Sequence, residues 1–386
     1  MVRKYKLAVL NAAPTRYQSP FFRELAKHHK IDLTVYFCVN EPKCYDRYAL
    51  EGYNYKFLRN YSLDYRIPFF GKTNIGIIRE LIVNKYDAIL VYGYSMFTCY
   101  LAFLAAYLTK TPILMIGAII EETSYPLYIK LLRKIFLRPL FRTFSAFLSV
   151  GTLNTKFYMN YGVPKSKIFL VPYPVDTEFF RKKYKELKEK KKKLRKELNL
   201  SSNLPVILRT SRLIPEKRPL DLLKAYEIIQ DNINAQVVFV GDGSERKTLE
   251  KYVKKNNLKN VYFAGFKGRE TLSKYYAAAD VFVVTSEYET WGSVINEAMC
   301  FGLPIITTDK VGASHDLVKH GKNGFIYKPG DINALAFYLE TILNNHKLMK
   351  KLGEESLNII SKWTFKEDVE GVIRALDFVL NKNKIQ

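Results

Sequence analysis

With 386 residues, 48% of them apolar, the chain has enough apolar material for two domains of about 150–200 residues, each with its own core, and a disordered chain is excluded. Its formal net charge of +24 is uneven: residues 1–180 carry 24 Lys/Arg against 12 Asp/Glu, residues 181–198 carry 11 against 3, and residues 199–386 carry 26 against 22. Such a surface predicts an anionic partner (nucleic acid, membrane surface or phosphorylated ligand), unless RKKYKELKEKKKKLRKEL (181–198) is only a solvated helix.

The opening MVRKYKLAVLNAAP contains one short apolar run, KLAVLNA (6–12), which predicts a strand and not a signal peptide. The amphipathic SPFFRELAKHH and the strand IDLTVYFC follow. Residues 88–109 hold no charge and are long enough to suggest a membrane span, but Gly93 breaks them. AILVYG (88–93) then predicts a buried strand and MFTCYLAFLAAYL (96–108) a helix. After TPILMIG comes LYIKLLRKIFLRPLFRTF (127–144), which interleaves Lys130, Arg133, Lys134, Arg138 and Arg142 with leucine, isoleucine and phenylalanine. Periodicity alone allows two readings of it: a helix lying in an anionic membrane interface, or one burying its apolar face in the first domain. SAFLSVG and KIFLVPYPVD (167–176) complete the first series. Beyond the charge run the alternation restarts with PVILRTS (205–211), AQVVFVG (235–241), NVYFAG (260–265), DVFVVTS (280–286) and PIITTD (304–309). Short apolar runs separated by helix-length segments predict an α/β protein with two doubly wound parallel sheets, joined near Pro172–Asp176. The cysteines (Cys38, Cys44, Cys99, Cys300) form no C-x-x-C pair and have no histidine at ligand spacing, so a reducing cytoplasm is expected, without a disulfide framework or zinc site.

In such sheets ligands bind outside the carboxyl ends of the strands, so the loops there carry the candidate chemistry. RLIPEKRPLDLLKAY places Arg212 and Lys217 on either side of a loop that opens a helix, which suits a phosphate clamp, although exposed basic residues are commonly just solvated. Gly241 and Gly243 occupy a strand-to-helix turn that could equally need them for its backbone alone. In SEYETWGSVINEAMCFGLP (286–304), Glu289 precedes a helix and Glu297 lies about a turn inside it, with Gly292 at its start. The ordinary readings are a capping box from Ser286 to Glu289 and an exposed helical Glu297. Against the second, Glu297 sits in INEAMCFGLPII, apolar enough to be buried, and a buried carboxylate needs hydroxyl, amide or cationic partners.

Together these motifs resemble glycosyltransferase family 4, retaining group 1 glycosyl transferases of the GT-B fold. The resemblance rests on TSRLIPEK (210–217), VVFVGDGSER, VYFAGF, YYAAADVFVVTS, ETWGSVINEAMCFGLPIITTD and VGASHDLVKHGKNGFIY (311–327), with the R-x4-K and E-x7-E spacings the most specific. It implies two doubly wound Rossmann-like domains with an interdomain cleft: an acceptor-binding domain over 1–173 and a donor-binding domain over 174–363. It also implies that WTFKEDVEGVIRALDFVL (363–380) is a helix, within 364–386, crossing back to the first domain through Phe365, Val369, Val372, Ile373 and Leu376.

The reaction so implied moves a sugar from a UDP- or GDP-sugar to a glycan or lipid-linked acceptor with retention of anomeric configuration, as in polysaccharide or glycolipid biosynthesis. Glu297 would bind the ribose hydroxyls and Glu289 the transferred sugar. Arg212 and Lys217 would neutralise the leaving diphosphate. Gly241, Gly243, Gly265, Thr290, Trp291, Gly292 and Ser293 would complete the donor site. No cofactor or metal is implied, and the chain has no Asp-x-Asp motif. The chain departs from the family at Ala12-Ala13-Pro14, where adjacent glycines are usual, and at MIGAIIEETSY (115–125), where a histidine is. Arg16, Glu121 and Glu122 are the acceptor-side candidates. The basic first half adds an expected anionic membrane surface, on the inner face of the cell membrane. A nucleic-acid partner is not expected, because the basic residues lack interleaved stacking aromatics. A sugar-nucleotide epimerase of the same fold remains the alternative enzyme, and a nucleic-acid-binding protein the alternative of another class.

Overall fold

The computed structural model describes residues 4–15, 18–40, 47–121, 125–173 and 175–382, in two compact units: Met1–Pro174 with Phe365–Gln386, and Val175–Thr364. In unit 1 the order is β1 (Tyr5–Asn11), α1 (Ser19–Lys27), β2 (Ile31–Phe37), β3 (Asn54–Phe57), α2 (Ile77–Asn84), β4 (Ala88–Tyr92), α3 (Phe97–Thr109), β5 (Ile113–Ile116), α4 (Leu127–Arg142), β6 (Ala146–Ser149), α5 (Thr152–Asn160) and β7 (Ile168–Leu170). Unit 2 runs α6 (Thr177–Leu187), α7 (Lys191–Glu197), β8 (Val206–Thr210), α8 (Pro219–Ile229), β9 (Gln236–Val240), α9 (Arg246–Lys255), β10 (Val261–Phe263), α10 (Arg269–Ala278), β11 (Val281–Val284), α11 (Ser293–Met299), β12 (Ile305–Thr308), α12 (Ser314–Leu317), β13 (Gly324–Tyr327), α13 (Ile332–Leu343) and α14 (His346–Ile360). The chain then returns to unit 1 as α15 (Phe365–Lys382).

Both sheets are parallel. Their strand orders are β3-β2-β1-β4-β5-β6-β7 and β10-β9-β8-β11-β12-β13, so the direction of winding reverses between β1 and β4 and again between β8 and β11. The continuous apolar runs follow from this, because central strands covered by helices on both faces leave no polar side: β8 and β9 are buried throughout. The uncharged stretch 88–109 resolves into β4 and α3, with Gly93 at positive φ (76°) between them. Among the described residues no helix is long and apolar enough to cross a membrane.

Two strands had no apolar run to announce them. β3 is an exposed edge strand, NYKF. β13 starts at Gly324, where a Cβ would stand 1.8 Å from the Ile305 carbonyl oxygen. The helix α15 packs on β6, β7 and α1, burying Val369, Val372, Ala375, Leu376 and Val379; Phe365 and Ile373, also expected as contacts, are half-buried. Gly371 lets it approach closely, since a Cβ there would lie 2.2 Å from the Leu170 carbonyl oxygen.

The charge run at 181–198 is more than a solvated helix. Its inner side clamps unit 2: Arg195 is buried, pairs with Asp280, and donates to the carbonyls of Ala278 (3.0 Å), Ser202 (3.2 Å) and Leu204 (3.0 Å). Lys191 reaches Asp280 at 2.7 Å, and Lys183 reaches Glu270 at 2.9 Å.

Candidate functional site

The reversal between β8 and β11 opens a crevice at their carboxyl ends, the position at which doubly wound sheets take ligands. A cavity of about 190 Å³ lies there, lined by Arg209, Ser211, Arg212 and Lys217 from β8 and its loop, and by Ser286, Glu289, Gly292 and Ser293 after β11. Two segments distant in sequence therefore supply opposite charges to one hollow. Lys217 Nζ forms an ion pair with Glu289 and lies 3.4 Å from the Tyr288 carbonyl oxygen. Arg212 is exposed at the rim with no carboxylate partner among the described residues.

The loops are held by backbone pairing. The Glu289 amide donates to the Lys310 carbonyl at 3.2 Å, and the Gly312 amide donates to the Glu289 carbonyl at 3.0 Å. Gly292 then turns the chain into α11 at φ 95°, a left-handed conformation that disfavours any residue with a Cβ. No capping box forms, since α11 begins at Ser293, seven residues beyond Ser286, and has no side-chain cap.

Glu297, on α11, is 4% exposed and stands behind the cavity wall. Tyr276 donates its hydroxyl hydrogen to Glu297 Oε2 at 2.8 Å, and Thr210 Oγ1 lies 3.0 Å from the same hydroxyl. Burial disfavours the charged form and pushes the Glu297 carboxyl up to about 7, with the Tyr276 hydrogen bond opposing the shift. Trp291 is buried too. Its ring lies 5.6 Å from that of Trp363, and its Nε1 donates to Asn296 at 2.9 Å. Thr290 is half-buried, and a Cβ on Gly312 would lie 2.2 Å from its carbonyl oxygen.

Gly241 and Gly243 do not line the cavity but make room for the β8 loop that does. A Cβ on Gly241 would lie 1.9 Å from the Ser211 carbonyl oxygen, and one on Gly243 would lie 2.3 Å from that of Leu213. Gly265, at φ 69°, bridges to Gly241, whose amide donates to the Gly265 carbonyl at 2.9 Å. Of the residues expected on the acceptor side, Glu121 is half-buried in unit 1 and accepts from the Tyr161 hydroxyl at 3.3 Å. Arg16 and Glu122 lie outside the described residues.

One cavity residue was missed in the sequence. Arg209, in the middle of β8, is 1% exposed; its Nη1 donates to Thr285 Oγ1 and its Nη2 to the Lys217 carbonyl, while its Nε has no partner among the described residues. Thr285 in turn donates to the Lys217 and Arg218 carbonyls at 2.8 and 2.7 Å, so Arg209 and Thr285 together anchor the turn that carries Lys217. Desolvation pushes the guanidinium down to about 10, which leaves it charged at neutral pH. The signal was present: an arginine inside PVILRTS, a run otherwise fit for burial. Among the described residues no group of three or more His, Cys, Asp or Glu side chains is placed to hold a metal ion.

The family model for glycosyl transferases group 1 matches residues 190–358. The sulfoquinovosyl transferase of Arabidopsis thaliana is 32% identical over 42% of this chain and 31% of its own length. N-acetyl-alpha-D-glucosaminyl L-malate synthase of Bacillus anthracis is 29% identical over 42% of both chains. The matched segment thus spans less than half of either relative. In fold, the chain is similar to a structure of the Anabaena protein HepE solved with UDP and glucose, at a TM-score of 0.73 and 19% identity, over 97% of this chain and 99% of that one. Residues 190–358 thus match glycosyl transferases group 1, and the two parallel sheets are those of the GT-B fold.

Proposed function

We propose that this chain transfers a sugar from a nucleoside-diphosphate sugar, with UDP or GDP as the carrier, to a glycan or lipid-linked acceptor with retention of anomeric configuration. The observation that carries the reading is the Lys217–Glu289 ion pair in the cavity at the β8–β11 reversal, which Arg212, without a carboxylate partner among the described residues, also lines. A donor diphosphate entering there meets Arg212 directly and competes with Glu289 for the Lys217 ammonium. Glu289 is then released to accept hydrogen bonds from hydroxyls of the sugar. As the bond between the anomeric carbon and the phosphate oxygen breaks, negative charge grows on the departing diphosphate, and both cations are positioned to stabilise it without a metal ion. The amides around Gly292 and Ser293 lie against the donor in this scheme, and Glu297, now behind the cavity wall, takes the ribose hydroxyls once they replace the Tyr276 hydroxyl as its partner. The relatives' names, two of sugar-transferring enzymes and one of a protein solved with UDP and glucose, support the same reading.

On the acceptor side, the reading assigns a molecule borne at an anionic membrane surface on its cytoplasmic face, supported by the basic excess of unit 1. Attachment is proposed to be peripheral.

Thermal melting against UDP, GDP, ADP and their sugars tests the donor part. A nucleotide present at 100 times its Kd adds about 2.7 kcal/mol of stability, so one member of the panel should raise the melting temperature clearly. Failure of every nucleotide to do so would remove the proposal. NMR of the product made from that donor should show the anomeric configuration unchanged. A sugar nucleotide returned with one inverted hydroxyl and no transferred sugar would replace the transferase reading with the epimerase.

A further inference from the structure

Unit 1 carries a strongly basic helix, α4. Its sixteen residues contain five basic side chains and no acidic one. The helix packs on unit 1 through one side only: Leu137 and Phe141 are buried, and Arg133 lies against the rings of Tyr125 (5.0 Å), Phe157 (5.8 Å) and Tyr161 (5.9 Å). The opposite side is apolar and open. Leu127, Tyr128, Leu131, Leu132, Ile135 and Phe136 are 55–82% exposed.

Helical spacing sorts the exposed residues into rows, because positions four apart stack along one side of a helix. Leu127, Leu131 and Ile135 form one apolar row, and Tyr128, Leu132 and Phe136 form the next. Alongside them runs a third row, Lys130, Lys134, Arg138 and Arg142. Like charges at this spacing repel, so the basic row is unfavourable for the helix in water. No carboxylate neutralises Lys134, Arg138 or Arg142 among the described residues, and all three are exposed. A continuous apolar stripe edged by Lys134, Arg138 and Arg142, three exposed cations without carboxylate partners among the described residues, is therefore a surface that lacks two things at once: an apolar phase and anions at its border.

We propose that this face of α4 docks flat into the interface of an anionic lipid bilayer, the two apolar rows entering the acyl boundary and the basic row lying among the headgroups. Charge selects this occupant over the others. A second copy of the chain would bring an identical cationic row against the first. Nucleic acid would satisfy the cations but leave the leucine, isoleucine and phenylalanine side chains with nothing apolar to meet. The proposal deepens the membrane part of the functional reading and does not depend on the donor chemistry of unit 2.

The test is co-sedimentation of the full chain with vesicles of phosphatidylcholine alone and of phosphatidylcholine mixed with phosphatidylglycerol. The wild type should bind the mixed vesicles, release them at high salt, and ignore the neutral ones. Each basic residue near an anionic surface contributes about 1 kcal/mol, roughly fivefold in affinity, so K134Q/R138Q should bind about 25-fold more weakly. L131Q/I135Q should lose at least about tenfold through its apolar contacts alone. Both variants change exposed side chains and should melt like the wild type. Equal binding by the variants, or no vesicle binding by a wild type that melts normally, would overturn the proposal. So would a wild-type dimer that the variants dissociate, which would give the face to a second copy. UDP melting shifts measured on the same samples keep the two ideas apart. Vesicle binding without nucleotide binding would leave the docking face and remove the transferase, and the converse pattern would do the reverse.

Discussion

The two units share a winding pattern yet handle polarity in opposite ways. Unit 1 keeps its sheet and helices apolar within and leaves large apolar side chains outside: α4 alone exposes six, whereas the large apolar residues exposed in unit 2 are Ile228, Phe266 and Phe337. Unit 2 instead buries charge. Arg195, Arg209, Asp221 and Glu297 are all buried there, and in unit 1 the corresponding case is Asp368 on α15. Burying an ion is costly unless it is paired or hydrogen-bonded, and each unit 2 example has such partners: Asp280 and three carbonyls for Arg195, Thr285 and a carbonyl for Arg209, Arg218 for Asp221, Tyr276 for Glu297. Buried, hydrogen-bonded ionisable side chains suit a site built for a small polar ligand, while exposed apolar helix faces suit an extended partner. The contrast locates two kinds of interaction in two parts of one chain.

The contrast can be broken most severely through α15. A chain ending at Ser361 loses a helix that buries Val369, Val372, Ala375, Leu376 and Val379 in unit 1. At about 1.5–3 kcal/mol for each larger apolar side chain, that exceeds 5 kcal/mol and rivals the whole stability of a domain. The truncated chain should be insoluble or lack a unit 1 transition by calorimetry. A melt indistinguishable from that of the full chain would show that unit 1 does not need its returning helix.

Next in size is the charge pair of unit 2. With the assigned donor, Lys217→Ala should lower kcat about 10²–10³-fold, the range for removing one donor from a developing oxyanion, while the melting temperature changes little. Glu289→Gln should also slow turnover. Unchanged kcat in Lys217→Ala would detach the ion pair from the chemistry.

Glu297 sharpens the comparison through pH. Its carboxyl is raised from 4.5 to about 7 by burial, so the stability it contributes is fully present below about pH 4.5 and is lost as pH rises through about 7. Glu297→Gln cannot ionise and should melt above the wild type at about pH 8, by at most about 3 kcal/mol, and converge with it near pH 4.5. A gain that is independent of pH would mean that Glu297 is not held in its neutral form by burial.

The smallest effect expected belongs to Arg209. Arg209→Met removes the hydrogen bonds to Thr285 and to the Lys217 carbonyl, each worth about 1.5–3 kcal/mol when a charged group takes part, less what the loop recovers by relaxing. Because this residue positions the Lys217 turn, KM for the donor should rise about tenfold, with kcat falling less. A lowered melting temperature with both constants unchanged would make Arg209 purely structural.

Much of this molecule was legible beforehand where local pattern and final environment coincide. The apolar runs in the interior of each sheet became strands, because a covered parallel strand has no polar side to disguise it. The R-x4-K and E-x7-E spacings placed Arg212, Lys217 and Glu289 around one cavity, since loop length after a strand limits how far a side chain can travel. The edge strands β3 and β13 were not legible, since their pairing depends on neighbours and on the Gly324 backbone approach. Three matters were decided by tertiary structure alone. Arg209 proved an internal brace because β11 brings Thr285 beside it. The 181–198 run proved half structural because Asp280 meets Arg195. Which residues of α4 are covered was settled only by packing, which buries Leu137 and Phe141 and leaves Leu131 and Ile135 exposed, for periodicity defines an apolar face without saying what stands against it.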